Sequence, residues 1–257
     1  MDYVRYKGSK YFLRNGVLDL SNLGIEDISL IKGFGNVENI RELDLSNNEI
    51  KEIKGLEALN QLELLNLRLN QIEEISGLDQ LSNLQYLYLY NNNISELKGL
   101  DFLPKLVELN VFDNQIQKIN GLDILKNLKR LYLGSNRIHK IEGLDQLCRL
   151  EFLNIEKNFI IELEGLDSLK QLVLLVLKRN KIEEIKNLDH LIKLKRLNLA
   201  FNEIHQLKGL ANLKNLEMID LRGNPIYTQD IEWESKMMQI KFLDTKELVS
   251  YCQMKQI

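Results

Sequence analysis

Apolar residues recur at a fixed interval of 22 residues along most of this chain. Each interval begins with two aliphatic residues separated by one variable residue, as at Leu43 and Leu45. Such alternation is typical of a short strand with one buried face. A constant interval without insertions indicates a stack of equivalent units. We therefore predict at least nine parallel strands, which start near residues 43, 65, 87, 109, 131, 153, 175, 197 and 219.

Asparagine follows every predicted strand in the same register, at positions 48, 70, 92, 114, 136, 158, 180, 202 and 224. The chain must turn at these points with its backbone polar groups enclosed. An amide side chain both donates and accepts hydrogen bonds, so it can satisfy such groups. We therefore predict a ladder of buried asparagines bonded to neighbouring turns.

A column of glycines marks a second corner of each repeat, at positions 55, 77, 99, 121, 143, 165 and 209, and Asn187 takes the place of one member. Because Asn tolerates positive φ better than most residues, this column predicts a left-handed backbone. An aspartate column follows at 79, 101, 123, 145, 167 and 189. We interpret these carboxylates as caps of short helical turns rather than as calcium ligands, which would have to converge on one point.

The repeat LDLSNNEIKEIKGLEALNQLEL, which begins at Leu43, resembles those of the leucine-rich-repeat superfamily. Its IxxIxGL segment is most similar to the 22-residue subclass typified by the protein phosphatase-1 regulatory subunit, which also includes bacterial internalins. The resemblance implies an α/β fold, a right-handed leucine-rich-repeat solenoid or horseshoe. A parallel β-sheet would form its concave face, and short helical or 3₁₀ turns its convex face.

The two ends depart from the repeat in ways that predict caps. We expect a single domain over 1-257, with an N-terminal cap and divergent repeat at 1-42, eight repeats at 43-218, and a final strand with a C-terminal cap at 219-257. The divergent repeat begins at Leu18 and carries Leu23 where asparagine is expected. In the C-terminal cap, we predict Asp230 to begin a helix, and Trp233, Met237 and Met238 to lie in the core.

Composition and charge narrow the range of partners. The chain has 44% hydrophobic residues and a formal net charge of -3, so no excess of positive charge favours nucleic acid. No stretch has the length and apolarity of a signal peptide or membrane span. Cys148 and Cys252 are predicted to be free thiols. We expect a monomeric, cytoplasmic protein that binds neither nucleic acid nor membrane.

Residues suited to catalysis are sparse in this sequence. His139 and His205 share one column but lie three repeats apart, roughly 14 Å at the strand spacing of a sheet, which is too far to share a metal or a proton. No GxSxG, HExxH or Gly-rich phosphate loop occurs. We therefore predict no enzymatic activity, no cofactor and no metal site.

Specificity for a partner must come from strand positions that vary and face outward. The residue between each leucine pair runs Asp44, Asn66, Tyr88, Asn110, Tyr132, Asn154, Val176, Asn198, Asp220. The resemblance to the phosphatase subunit implies that acidic and aromatic residues of this column contact the partner. It carries over to Asp44, Tyr88, Tyr132 and Asp220, and suggests a phosphatase catalytic subunit as the protein partner. A structural or assembly role through the convex face or the caps is the alternative.

Aromatic residues also gather on the predicted concave face. Strand alternation and the 22-residue register predict one exposed patch across four strands, formed by Tyr86, Tyr88, Tyr90, Phe112, Tyr132 and Phe152. We interpret it as a binding surface, because large exposed apolar patches mark interaction sites. The alternative is cross-strand packing without a partner. We also expect a charge gradient, from Glu42 and Asp44 at the front to Lys178, Arg179, Lys195 and Arg196 toward the back.

Overall fold

The computed structural model describes residues 2–227 and 245–255. Its main element is a ten-stranded parallel sheet in which the strands follow one another in sequence order. Each strand pairs with the next in a register of one repeat, so that Leu87 lies beside Leu65 on one side and Leu109 on the other. The predicted solenoid with a parallel sheet is confirmed. The residues predicted for the C-terminal cap, Asp230, Trp233, Met237 and Met238, lie outside the described ranges.

The strands are short and centred on the predicted leucines or isoleucine. In chain order they are β1 Tyr3–Tyr6, β2 Ser9–Phe12, β3 Val17–Asp19, β4 Glu42–Asp44, β5 Leu64–Asn66, β6 Tyr86–Tyr88, β7 Glu108–Asn110, β8 Arg130–Tyr132, β9 Phe152–Asn154, β10 Leu174–Val176, β11 Arg196–Asn198 and β12 Met218–Asp220. Strands β4 to β12 are those predicted from the repeat. Strand β3 comes from the divergent repeat and adds a tenth member to the sheet.

The hydrophobic core lies between the sheet and the convex turns. Leu87 and Leu89 are fully buried, whereas Tyr86 and Tyr88 on the opposite face of the same strand are half-buried. This alternation is the one that the sequence predicts for a strand with one buried face. The same buried column continues in every repeat, so one hydrophobic cluster runs from Val4 to Cys252.

The convex side of each regular repeat consists of short turns. In one repeat, Leu59 N donates to Leu56 O at 2.9 Å and Leu62 N donates to Leu59 O at 3.0 Å. The described 3₁₀ helices, Ile28–Leu30 and Phe34–Asn36, belong to the N-terminal cap. A helix needs a cap because its first turn leaves several backbone N–H groups unpaired. These convex turns are closed by a single hydrogen bond each, so they have no such series of N–H groups. Within the described residues, none of the column aspartates from Asp79 to Asp189 accepts a backbone N–H, so the capping prediction is wrong.

The asparagine ladder is present as predicted. Asn136 is buried, and its Nδ2 donates to Leu133 O at 3.0 Å, Gly134 O at 3.1 Å and Val111 O at 3.0 Å. Its Oδ1 accepts the Ile116 N–H at 2.9 Å. Each side chain thus bonds its own turn to the preceding repeat, which satisfies enclosed backbone groups on both sides.

The glycine column has the predicted left-handed backbone. Gly99 has φ +79, and a Cβ added there would overlap the carbonyl oxygen of Ile75 in the preceding repeat. Asn187 has φ 58, and its Nδ2 donates to Leu163 O at 2.8 Å. Asparagine can therefore replace glycine at this corner, because it adopts the same positive φ and its side chain bonds to the preceding repeat.

The described caps cover the two ends of the stack. The antiparallel hairpin β1–β2, which the sequence analysis did not predict, buries Val4 and Tyr6. The C-terminal helix Thr245–Lys255 buries Leu248 and Cys252 against the last repeats. Burial raises the pKa of the Cys252 thiol to about 11, whereas Cys148 is exposed. No helix in the described part of the chain is long and apolar enough to cross a bilayer.

Candidate protein-binding surface

The centre of the concave face is formed by the outward residues of β6 to β9. Parallel register places Tyr86, Glu108, Arg130 and Phe152 in one row across these strands. A second row, one pleat further along each strand, holds Tyr88, Asn110, Tyr132 and Asn154. All eight side chains are half-buried, because neighbours on adjacent strands cover their sides.

An ion pair lies in the middle of the aromatic residues. Arg130 Nε donates to Glu108 Oε2 at 2.5 Å, and the Glu108 side chain is only 13% exposed. The hydrogen bond with Glu108 raises the pKa of Arg130, although burial acts in the opposite direction. This pair was not predicted from the sequence, although opposite charges 22 residues apart occupy neighbouring strands and could have indicated it.

Aromatic rings lie on both sides of the ion pair, on β6 and on β8 and β9. Tyr132 and Phe152 are in direct contact, with centroids 4.6 Å apart. Burial, and then the negative charge of Glu108, raise the pKa of Tyr88 and of Tyr132. Both hydroxyls therefore stay protonated at neutral pH and can donate hydrogen bonds to a ligand. We call Tyr86, Tyr88, Tyr132 and Phe152 the aromatic cluster.

Two of the six predicted aromatic residues have other partners. Arg68 Nη1 donates to Tyr90 Oη at 2.6 Å, and its guanidinium lies 5.7 Å from the centre of that ring. The Phe112 ring lies over Gly134, where an added Cβ would be 2.6 Å from Phe112 Cε2. Tyr90 and Phe112 follow the C-terminal ends of β6 and β7 and extend the aromatic surface to that edge of the concave face. None of the six rings is as exposed as predicted, because cross-strand neighbours cover part of each.

The two predicted acidic residues lie away from the aromatic cluster, near opposite ends of the sheet. Asp44 accepts hydrogen bonds from Ser46 N at 2.8 Å and Asn66 Nδ2 at 3.0 Å. Asp220 accepts two from the Arg222 guanidinium, at 2.8 and 2.6 Å, and its side chain is 7% exposed. Burial raises the pKa of Asp220, but its hydrogen bonds to Arg222 outweigh burial, so the pKa is lowered.

Two of the basic residues that were predicted toward the back lie against an aromatic ring. The Lys178 Nζ and the Arg179 guanidinium each lie 5.6 Å from the centre of the Phe201 ring. Phe201 is 46% exposed. Lys195 is paired with Glu217 at 2.8 Å, which offsets part of this charge.

Asparagines of the second row carry a feature that the sequence analysis also missed. Asn110 Oδ1 accepts the Phe112 N–H at 3.1 Å, and Asn154 Oδ1 accepts the Glu156 N–H at 2.8 Å. Asn198, two strands further, repeats this bond with the Ala200 N–H at 3.0 Å. Over residues 2–227 and 245–255, the Nδ2 groups of these three asparagines have no hydrogen-bond partner. They are donors available on the concave face.

The described residues offer no group of three or more His, Cys, Asp or Glu side chains placed to share a metal ion. His139 stacks on Phe159, with centroids 5.1 Å apart, and His205 stacks on Tyr227 at 6.1 Å. The concave face instead combines half-exposed rings with hydrogen-bond donors. Such a combination is suited to binding another molecule.

Comparison with known proteins agrees with this architecture. The family model described as Leucine Rich repeats (2 copies) matches residues 38–80, 82–124, 104–146, 126–168 and 192–235. No curated protein matches the chain by sequence.

Solved structures share the fold. Internalin C2 (inlC2) from Listeria monocytogenes is 31% identical with a TM-score of 0.69, over 77% of this chain and 88% of that one. An internalin (inlF) from the same organism is 25% identical with a TM-score of 0.68, over 88% of this chain and 72% of that one. The TLR13-ssRNA13 complex is similar in fold alone, with 23% identity and a TM-score of 0.65, over 81% of this chain and 36% of that one.

Proposed function

Because the chain belongs to the leucine-rich-repeat family, we propose that it is a non-catalytic binding protein whose partner, another protein, docks on the concave face. The observation that carries this proposal is the aromatic cluster around the Glu108–Arg130 ion pair at the centre of the sheet. Tyrosine contributes apolar area and a hydroxyl, which makes it frequent at binding hot spots.

The fold supports binding by holding these side chains in place. The cluster lies on β6 to β9, whose strands pair on both sides. Tyr132 is held against Phe152, and the Arg130 guanidinium is held by Glu108. Side chains that are already ordered lose less conformational entropy when a partner binds. The internal ion pair also neutralises the charges at the centre, so a partner would meet a largely apolar surface with polar atoms at defined positions.

A phosphatase catalytic subunit is the specific partner that we propose to test first. The support is the match of Tyr88 and Tyr132 to the aromatic positions expected from the phosphatase regulatory subunits. Asp44 and Asp220 add less, because other residues of this chain already bond both carboxylates. Titration calorimetry with the purified catalytic subunit of protein phosphatase-1 tests this choice. No binding by the intact chain would reject the phosphatase while leaving the concave site open to another protein.

We also propose a cytoplasmic location and a monomeric state. The exposed free thiol of Cys148 supports the first, since reducing compartments keep thiols unpaired. Cell fractionation and sedimentation at several concentrations test the two statements. Recovery of the chain outside the cytoplasm, or a mass that doubles with concentration, would contradict them.

An assembly role through the convex face is the second candidate. Three apolar side chains on the convex turns are 51%, 38% and 59% exposed, namely Phe102, Ile124 and Ile192. If a partner covers these residues instead, the concave cluster would contribute nothing to its binding. The two candidates therefore predict opposite results for substitutions on the two faces.

The deciding experiment compares two double variants. Tyr88→Ala/Tyr132→Ala removes two rings of the concave cluster, and Phe102→Ala/Ile124→Ala removes two apolar side chains from the convex turns. For a partner recovered from the native source, we expect the concave variant to bind with about 30-fold lower affinity, which corresponds to about 2 kcal/mol. The convex variant should bind normally. The reverse result, with both variants folded by circular dichroism, would favour the assembly role.

A further inference from the structure

The second row of the concave face, continued to β11, has asparagine on every second strand and tyrosine or valine between. From β6 to β11 the middle residues are Tyr88, Asn110, Tyr132, Asn154, Val176 and Asn198. Adjacent strands of a sheet lie about 4.8 Å apart, so equivalent positions recur about every 9.6 Å along the stack. The side chains of this row therefore repeat every two strands, although the backbone repeats every strand.

Each of these asparagines is held in one orientation. Its Oδ1 accepts the N–H two residues further along its own chain, at 3.1 Å for Asn110, 2.8 Å for Asn154 and 3.0 Å for Asn198. This bond to the backbone fixes the orientation of the amide and leaves Nδ2 without a partner among the described residues. Within the described residues no buried side-chain nitrogen or oxygen lacks a partner, so these Nδ2 groups are accessible to solvent or to a ligand. The row presents donors at a regular spacing.

On this basis we infer that the part of the partner that docks here is a proline-rich segment in the polyproline II conformation, lying along the stack of strands. The inference deepens the proposed function and rests on it. Polyproline II has three residues per turn and a rise of about 3.1 Å per residue, so its side chains repeat about every 9.3 Å. That repeat matches the spacing of Tyr88 and Tyr132, and of Asn110 and Asn154.

Other backbone conformations fit the spacing less well. An extended β-strand repeats its side chains about every 6.8 Å, so it would lose register after one step. Two turns of an α-helix span about 10.8 Å, and the helix uses its own carbonyl groups internally. Polyproline II has no internal hydrogen bonds, so its carbonyl groups are free to accept from asparagine.

The hydrogen-bonding chemistry points to the same ligand. Proline has a carbonyl acceptor but no N–H donor. The second row complements this, because Asn110 and Asn154 offer Nδ2 donors while each Oδ1 already accepts a backbone N–H. The hydroxyls of Tyr88 and Tyr132 add two further donors, and their rings can pack against pyrrolidine rings, as in other aromatic grooves for proline-rich segments.

The probe for this inference is a peptide of about twelve prolines, or four turns of polyproline II, with no ionisable side chains and a fluorescein label at one end. Its binding to the full chain is measured by fluorescence anisotropy. A glycine-serine peptide of equal length and a single-stranded oligouridine RNA are tested in parallel. We expect the polyproline peptide to bind more tightly than both, since only it has the matching repeat without backbone donors.

The matched variant is Asn110→Asp/Asn154→Asp. It keeps the acceptor for the backbone N–H, replaces the Nδ2 donors with acceptor oxygens and adds two negative charges. The chain itself shows that aspartate suits this row, because Asp44 accepts the Ser46 N–H at 2.8 Å and Asp220 accepts the Arg222 N–H at 3.2 Å. Gln71→Glu/Gln117→Glu, at two exposed positions, adds equal charge as a control. We expect the asparagine variant to bind the peptide at least about ten-fold more weakly, and the control to bind normally.

Three results would overturn the inference. The peptide could bind the asparagine variant as well as it binds the native chain, or fail to bind at all, or bind more weakly than the RNA. The last result would favour a nucleic acid on the same donors. If the Tyr88→Ala/Tyr132→Ala variant still loses its native partner in these cases, the proposed function stands and only the choice of ligand is wrong.

Discussion

Two columns of asparagine run along this solenoid, and they have different numbers of partners. In the buried column, Asn136 uses Oδ1 once and Nδ2 three times, all with enclosed backbone groups. In the concave column, Asn110 uses only Oδ1, for a turn of its own strand. The first side chain joins two repeats, whereas the second leaves its donor facing outward. The same residue type is therefore structural in one column and available for binding in the other. The repeat register assigns each asparagine to its column, but it does not show which atoms of the amide are bonded.

The largest effect should come from placing aspartate in the buried column. Asn136→Asp sets a carboxylate against three carbonyl oxygens that now accept from Nδ2. An uncompensated buried charge destabilises a protein by about 4 kcal/mol. Asn110→Asp should change stability by less than about 0.5 kcal/mol, because it keeps its one bond. Urea unfolding of both variants measures the difference, and equal midpoints would remove the distinction between the columns.

A smaller loss should follow from alanine in the buried column. Asn136→Ala leaves backbone groups of two repeats unpaired, so we expect a loss on the order of 3 kcal/mol in the free energy of unfolding. Asn110→Ala removes one partly exposed bond and should cost about 1 kcal/mol or less. Urea unfolding again gives both values. A smaller loss for Asn136→Ala than for Asn110→Ala would mean that water replaces the ladder.

The smallest effect concerns the aspartate members of the concave column. Asp220 has a lowered pKa because its bonds to Arg222 outweigh its burial. The stabilisation from its charged form is complete above the unfolded pKa of about 3.9 and disappears as pH falls through the lower folded value. Asp220→Asn should therefore be less stable than the native chain at neutral pH, and this difference should vanish in acid. A difference in urea midpoint that stays constant below pH 4 would show that the ion pair with Arg222 contributes no stability.

Much of the fold could be predicted because the repeat constrains it many times over. A residue 22 positions from Leu87 had to lie beside it, and a one-residue slip would have turned the buried face outward. The same reasoning placed the buried asparagines and the left-handed backbone at Asn187. The hairpin β1–β2 escaped prediction because it occurs once, so no second copy supports its register.

The candidate surface was predictable in position but not in its contacts. Register placed Tyr88 and Tyr132 two strands apart, as observed. The pairing of side chains depends on the rotamers that long, flexible residues adopt between their neighbours. The repeat spacing does not determine these rotamers. Asp220 illustrates the limit, since its partner Arg222 lies two residues along its own chain rather than on a ligand. Opposite charges one repeat apart, such as Glu108 and Arg130, are a signal that could have been used.

Because tyrosine and asparagine alternate on the concave face, odd and even strands differ in their side chains although their backbones are equivalent. Removal of one repeat would leave the asparagine ladder continuous, because each amide bonds to whichever turn precedes it. The same removal would place two strands that carry tyrosine, or two that carry asparagine, side by side, and the alternation on the concave face would be lost. Removal of two adjacent repeats would restore it. The fold therefore tolerates the gain or loss of a single repeat, whereas the binding surface keeps its alternation only when repeats are gained or lost in pairs.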